Sequence, residues 1–154
     1  MSTQSTLLSE VCGIPLGSSF VSPGRTVTEA DIVAFAGVSG DFNELHTNAE
    51  YMKGTAYGQR IAHGLLVLSI ASGLGIRALP KPLPVLAFLG IKEWNFRKPV
   101  FIGDTITVRL TLSGARATQA QDRVVVTWTR EVRNQRGEVV QDGTTLLLVD
   151  NRPA

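Results

Sequence analysis

Cysteine occurs once, at Cys12, so no disulfide can form within the chain, and histidine occurs only twice, at His46 and His63. With scattered carboxylates these give no recognisable metal-ligand spacing, and no metal is expected. No apolar run approaches the roughly 18 residues of a membrane span; Leu65 to Ala71 is among the longest. The opening Met-Ser-Thr-Gln-Ser-Thr lacks the basic flank and apolar stretch of a secretory signal. Together with the lone thiol this predicts a cytoplasmic location and no membrane association. Charged residues are sparse, at 18%, and form no basic run, zinc-finger spacing or aromatic-rich binding motif, so nucleic acid is not an expected partner. Gly73-Leu74-Gly75 ends a helical pattern instead of opening one, which excludes a Walker loop and a dinucleotide fingerprint. No Gly-x-Ser-x-Gly elbow is present, which argues against a Ser-His-Asp hydrolase.

What remains is a chain of 154 residues, 44% of them hydrophobic, which predicts a single domain over residues 1–154 with a full core. The charge is unevenly placed. Residues 1–76 hold three Lys/Arg against six Asp/Glu, and residues 77–154 hold twelve against seven, a local balance of +5. That bias suits a polyanionic small ligand or simply a solvated basic surface.

Residues 1–17, with Gly13, Pro15 and Gly17, read as a loosely ordered lead-in segment with a short helical turn. Thr28 and Asp31 form a capping-box pattern, and Ile32, Phe35 and Ala36 share a helical face, predicting a helix from 28 to 38 that Gly40 ends. Residues 39–49 read as an ordered polar loop, followed by one helical turn at Glu50 to Met52. His63-Gly64 opens a second helix, Leu65 to Ile76, so uniformly apolar that it is expected to be buried on nearly every side. After Pro80, Pro82 and Pro84 come four strand-like segments: Val85 to Val100, 105–112 and 124–132 with two-residue alternation broken by Arg130, and Glu138 to Val149 with a bulge expected at Gly143. Asn134 to Gly137 reads as the hairpin turn, and a short strand near Ser18 to Ser22 makes five. The order predicts an α+β domain in which a curved antiparallel sheet of about five strands wraps one buried apolar helix, the hot-dog architecture. Such a sheet hides an edge by pairing with a second subunit, so a homodimer is expected.

Both histidines flank the start of the apolar helix. In Gly40-Asp41-Phe42-Asn43-Glu44-Leu45-His46 a carboxylate and an imidazole stand five residues apart around Asn43, outside any long helix, so a turn can join their heads. Adding water to a conjugated double bond needs a base, an acid and a group that stabilises the enolate oxygen. Asp41 and His46 can supply the first two. The free N–H groups at the helix start can supply the third, with Gly64 the natural donor because it allows close approach. The same residues can equally serve as a turn cap, a loop-satisfying amide and an ordinary histidine. Ser69 and Ser72, on the helix, read as bonded to helix carbonyls.

Gly40-Asp41-Phe42-Asn43-x-Leu45-His46, Arg60-Ile61-Ala62-His63-Gly64, Ser72, and Phe96-x-x-Pro99-Val100-Phe101-x-Gly103-Asp104 occur in order. In these motifs the chain resembles the R-specific enoyl-CoA hydratases and the wider MaoC-like dehydratases, over nearly its whole length. The resemblance implies a hot-dog fold and reversible hydration of a 2-enoyl-CoA to the (R)-3-hydroxyacyl-CoA. It makes Asp41 and His46 the catalytic pair, Gly64 the donor to the thioester oxygen, and Asn43, Ser72 and His63 supporting residues, Ser72 by holding the catalytic carboxylate or its loop. It implies an acyl-CoA substrate, with coenzyme A as part of that substrate and no separate cofactor. Glu44 stands where the family commonly has proline. A hot-dog acyl-CoA thioesterase and a non-catalytic acyl-CoA-binding subunit are the rival expectations; the first is disfavoured because residues 65–76 carry no carboxylate.

Overall fold

A computed structural model describes residues 7–120 and 122–151. A hairpin of β1 (Glu10–Val11) and β2 (Ile14–Pro15) leads to the short strands β3 (Ser19–Val21) and β4 (Arg25–Thr26). Three helices follow, α1 (Glu29–Ser39), α2 (Glu44–Thr47) and α3 (Ala49–Lys53), and then the long helix α4 (Gly64–Ala78). Four long strands complete the chain: β5 (Val85–Phe96), β6 (Thr105–Ala117), β7 (Arg123–Arg133) and β8 (Val139–Asp150).

The main sheet is antiparallel in the order β3-β6-β7-β8-β5, with β4 also pairing β6, so six strands replace the five expected. α4 packs against β6 on its inner face, which is the hot-dog arrangement. The core follows from alternation. Ile106, Val108, Leu110 and Leu112 of β6 and Val124, Val126, Trp128 and Val132 of β7 turn inward and are at most 2% exposed. They meet Leu66, Val67, Ala71 and Leu74 of α4, and each fully buried aliphatic or aromatic side chain contributes roughly 1.5–3 kcal/mol.

Several expectations need correction. Residues 7–17 form a hairpin, not a helical turn, and Val11 and Ile14 join the core because Cys12 and Gly13 take positive φ and reverse the chain; residues 1–6 lie outside the described residues. The first long strand ends at Phe96, not Val100, since Pro99 has no N–H to continue a ladder. Gly143 is no bulge: it pairs in register with Trp94 and Arg130, and a Cβ there would collide with the Glu93 carbonyl, so glycine lets β5 close on β8. α4 is not buried all round. Leu65 and Ile76 are 59% and 70% exposed, because the sheet covers only the face of α4 that carries Leu66, Val67, Ile70, Ala71 and Leu74. Among the described residues no helix is long and apolar enough to cross a membrane.

Candidate active site

Helix α1 begins as the sequence predicts: the Thr28 side chain accepts from Asp31 N while the Asp31 carboxylate accepts from Thr28 N. It ends at Gly40, whose φ of 75° is the left-handed cap that glycine tolerates. Asp41 therefore leaves the helix in a fixed direction. Its N–H donates to Ser39 Oγ at 3.2 Å, and its Oδ1 accepts from Asn43 N at 3.2 Å. Asn43 caps α2 by accepting from Leu45 N at 3.0 Å. The loop expected over residues 39–49 thus contains one helical turn, and that turn carries His46 across from Asp41.

His46 is buried at 8% exposure, whereas the Asp41 side chain is half exposed. His46 Nδ1 lies 2.8 Å from the Ile61 carbonyl oxygen, which can only accept, so Nδ1 carries the proton and Nε2 holds the lone pair. That lone pair looks toward Asp41, with Nε2 and Oδ2 3.8 Å apart. His63 is buried at 2% and donates from Nε2 to the Asp41 carbonyl at 2.9 Å. Its ring stacks on His46 with centroids 3.7 Å apart and planes inclined by 26°.

Asp41, His46 and His63 thus bring three donor atoms within 4.8 Å, a cluster that spacing alone did not reveal. Nearly parallel stacked rings send their in-plane lone pairs along separate directions, whereas a metal ion needs them to converge at about 2.0–2.1 Å. The cluster suits proton transfer better than metal binding.

Gly64 is the first residue of α4, and no acceptor for its N–H exists among the described residues. A Cβ at Gly64 would sit 2.7 Å from the Phe96 ring, so the close approach demands glycine. Gln141, buried at 2%, donates to the Gly64 carbonyl at 2.9 Å and accepts from Trp94 Nε1 at 3.0 Å, tying the helix start to the sheet. A cavity of about 330 Å³ opens here, lined by His46, Gly64, Val67, Phe96, Val100 and Gln141, with Arg97 and Lys98 also on its wall. A larger concavity of about 690 Å³ over β5, β7 and β8 is lined mainly by polar groups engaged with one another, including the Arg97–Asp142 and Lys98–Glu138 pairs, with Arg130 also on its wall, and holds no histidine.

The structure therefore gathers Asp41, Asn43, His46, His63 and Gly64. Ser72 is not brought in: it lies eight residues along α4, about 12 Å from Gly64 at 1.5 Å per residue, and among the described residues it makes no hydrogen bond to the Asp41 loop. Sequence reasoning missed the Ile61 carbonyl, Gln141 and the histidine stack. A polar Gln141 at an inward strand position was the one available signal.

A hot-dog sheet with an Asp–His pair at the start of its wrapped helix defines the class, and comparison with known proteins defines the family. The model of the MaoC-like domain matches residues 14–135, and the chain belongs to that family. It is 34% identical over 131 residues to the (R)-specific enoyl-CoA hydratase of Rhodospirillum rubrum, covering 85% of each chain. It is 43% identical over 95 residues to Protein MaoC of Klebsiella aerogenes, covering 62% of this chain and only 28% of that much longer protein. The crystal structure of the monoamine oxidase regulatory protein from Archaeoglobus superposes with a TM-score of 0.83 at 41% identity, covering 91% and 93% of the two chains.

Proposed function

We propose that this protein catalyses the reversible hydration of a trans-2-enoyl-CoA to the (R)-3-hydroxyacyl-CoA. The observation that carries the reading is the His46 lone pair, fixed by the Ile61 carbonyl, facing Asp41 beside the free N–H of Gly64. The relation to the R. rubrum hydratase over most of both chains supports it.

Water held between Asp41 and His46 loses a proton to the pair as its oxygen bonds to the β carbon. The double-bond electrons move onto the thioester oxygen, where the Gly64 N–H, at the positive end of α4, stabilises the developing charge. The pair then returns a proton to the α carbon, so water is added with no net change in the enzyme. Two of the cations from the basic half, Arg97 and Lys98, line the same cavity, and coenzyme phosphates would compete for them with Asp142 and Glu138. The decisive assay follows loss of enoyl-thioester absorbance over short, medium, branched and carboxylated 2-enoyl-CoAs, with Asp41→Asn as control. Loss that disappears in the variant supports the reading; release of free thiol instead, or no turnover of any thioester, overturns it.

The working unit is a homodimer closed over β5. This twelve-residue strand is a sheet edge, yet Val85, Leu86, Phe88, Leu89, Ile91 and Phe96 are each 44–56% exposed. Edge strands that remain free are short or charged, so a second copy is the occupant this one fits. Light scattering should give twice the chain mass; a monomer at working concentration would contradict it.

A further inference from the structure

The inward series of β7 runs Val124, Val126, Trp128, Arg130, Val132, and Arg130 is its one charged member. Arg130 is only 5% exposed. Nε donates to Thr145 Oγ1 at 3.0 Å, and among the described residues nothing accepts from Nη1 or Nη2. Burial without a counter-charge draws its pKa down to about 10, which is the mark of a cation held against its own solvation. The fold nevertheless makes room for it: a Cβ at Gly75 of α4 would lie 2.9 Å from Nη1. A buried cation with no carboxylate partner among the described residues, accommodated by a glycine, is arranged for an anion supplied from outside.

Its position relative to the reacting centre narrows what that anion is. Gly64 and Gly75 are eleven residues apart, three turns of helix, so they lie on one flank of α4 about 16 Å from each other. The facing inward series of β8 follows the same order. Gln141 bonds the Gly64 carbonyl, Gly143 pairs in register with Arg130, and Thr145 holds the guanidinium. Between the two ends the Trp94 indole, bonded to Gln141, lies over Gly143 and offers an apolar wall. The flank between them is closed by packing in the free protein, with Val67, Ala71 and Thr145 at most 1% exposed, so an acyl chain whose thioester oxygen sits on Gly64 N–H would have to part these side chains to reach the guanidinium.

We infer that Arg130 receives a carboxylate at the far end of the acyl group, so that the preferred substrate is the CoA monothioester of an unsaturated dicarboxylic acid. This rests on the hydratase reading and adds to it the identity of the acyl terminus. A guanidinium matches a carboxylate with two parallel N–H donors, and a methyl terminus would leave those donors unpaired.

The test uses matched pairs of trans-2-enoyl-CoAs of rising chain length, each length ending in either a methyl or a carboxylate group. They are assayed with the wild type, Arg130→Met, Arg130→Lys and Thr145→Val. Once the chain is long enough to span the flank, kcat/KM of the wild type for the carboxylate member should exceed that for its methyl partner by about tenfold or more. Arg130→Met should bring that ratio to one or below, and Arg130→Lys and Thr145→Val should give intermediate ratios. Arg130→Met should also melt at or above the wild-type temperature, since it removes an uncompensated buried charge. A wild type that hydrates crotonyl-CoA but favours methyl ends at every length overturns this inference alone. So does a ratio that survives Arg130→Met. A melting temperature lowered by many degrees in that variant would assign the counter-ion to a second copy of the chain and likewise overturn it. Failure to hydrate either series overturns the hydratase reading along with it.

Discussion

In the β6–β7 pair, Leu112 stands opposite Trp128 and Val108 opposite Val132, every one of them at most 2% exposed and each held only by packing. In the stretch from Asp41 to Gly64 almost nothing is held that way. Ser39 Oγ, the Asp41 carboxylate and Asn43 Oδ1 each accept a backbone N–H, and both histidine rings donate to backbone carbonyls. The sheet is specified by volume and the site by hydrogen bonds that end helices. Substitutions in the two regions should therefore be read by different measurements, activity for one and stability for the other.

The sharpest separation is expected at His46. His46→Gln should lower enoyl-CoA turnover by about 10²–10⁴ while the melting temperature stays close to that of the wild type; a large loss of stability would mean the ring is structural. Trp128→Ala should do the reverse, costing about 3–5 kcal/mol in a denaturant titration while activity per folded molecule is kept. Asn43→Ala is where the two regimes meet. It removes the cap of α2 and should cost about 0.5–2 kcal/mol, with turnover falling as well because the Asp41–Asn43 turn loosens. The smallest effect is expected in acid. Hydrogen bonds from Asn134, Lys98 and Arg136 hold Glu138 down to about 2, below its ordinary 4.5. A depressed carboxylate contributes stability that is present above the ordinary value and is lost as pH falls through the folded one. Thermal melts between pH 5 and pH 2 should lose part of their slope in Glu138→Gln.

Legibility in the sequence followed the same division. The alternation of β6 and β7 and the capping box at Thr28 and Asp31 are local patterns, and both elements form where expected. The strands of β1 and β2 have two residues each, too short for any period to show, so that hairpin was missed. The apolar runs of α4 and β5 were legible as apolar but not as exposed. Hydropathy reports what a side chain avoids, and a protomer seen alone leaves Leu65, Ile76 and Phe88 facing solvent. In the site, His46 and His63 could be named because the chain has only two histidines, and Asp41 and Gly64 because they stand near them in the sequence. The Ile61 carbonyl could not, since a backbone acceptor leaves no trace in residue identity. Arg130 was visible as a break in an alternation, but only its missing partner gives the break a meaning.

The carbonyl that orients His46 belongs to Ile61, which also pairs with Phe101 in an isolated bridge. A carbonyl has direction but no net charge, so it fixes which nitrogen is protonated without supplying a counter-charge. An imidazolium formed during water addition would have only the half-exposed Asp41, 3.8 Å away, to neutralise it. The tautomer and tilt of the ring are thus tied to the Ile61–Phe101 bridge, and whatever loosens it loosens the imidazole as well. A catalyst lowers the barrier in both directions alike, so the ratio of thioesters in solution would alone decide whether water enters or leaves.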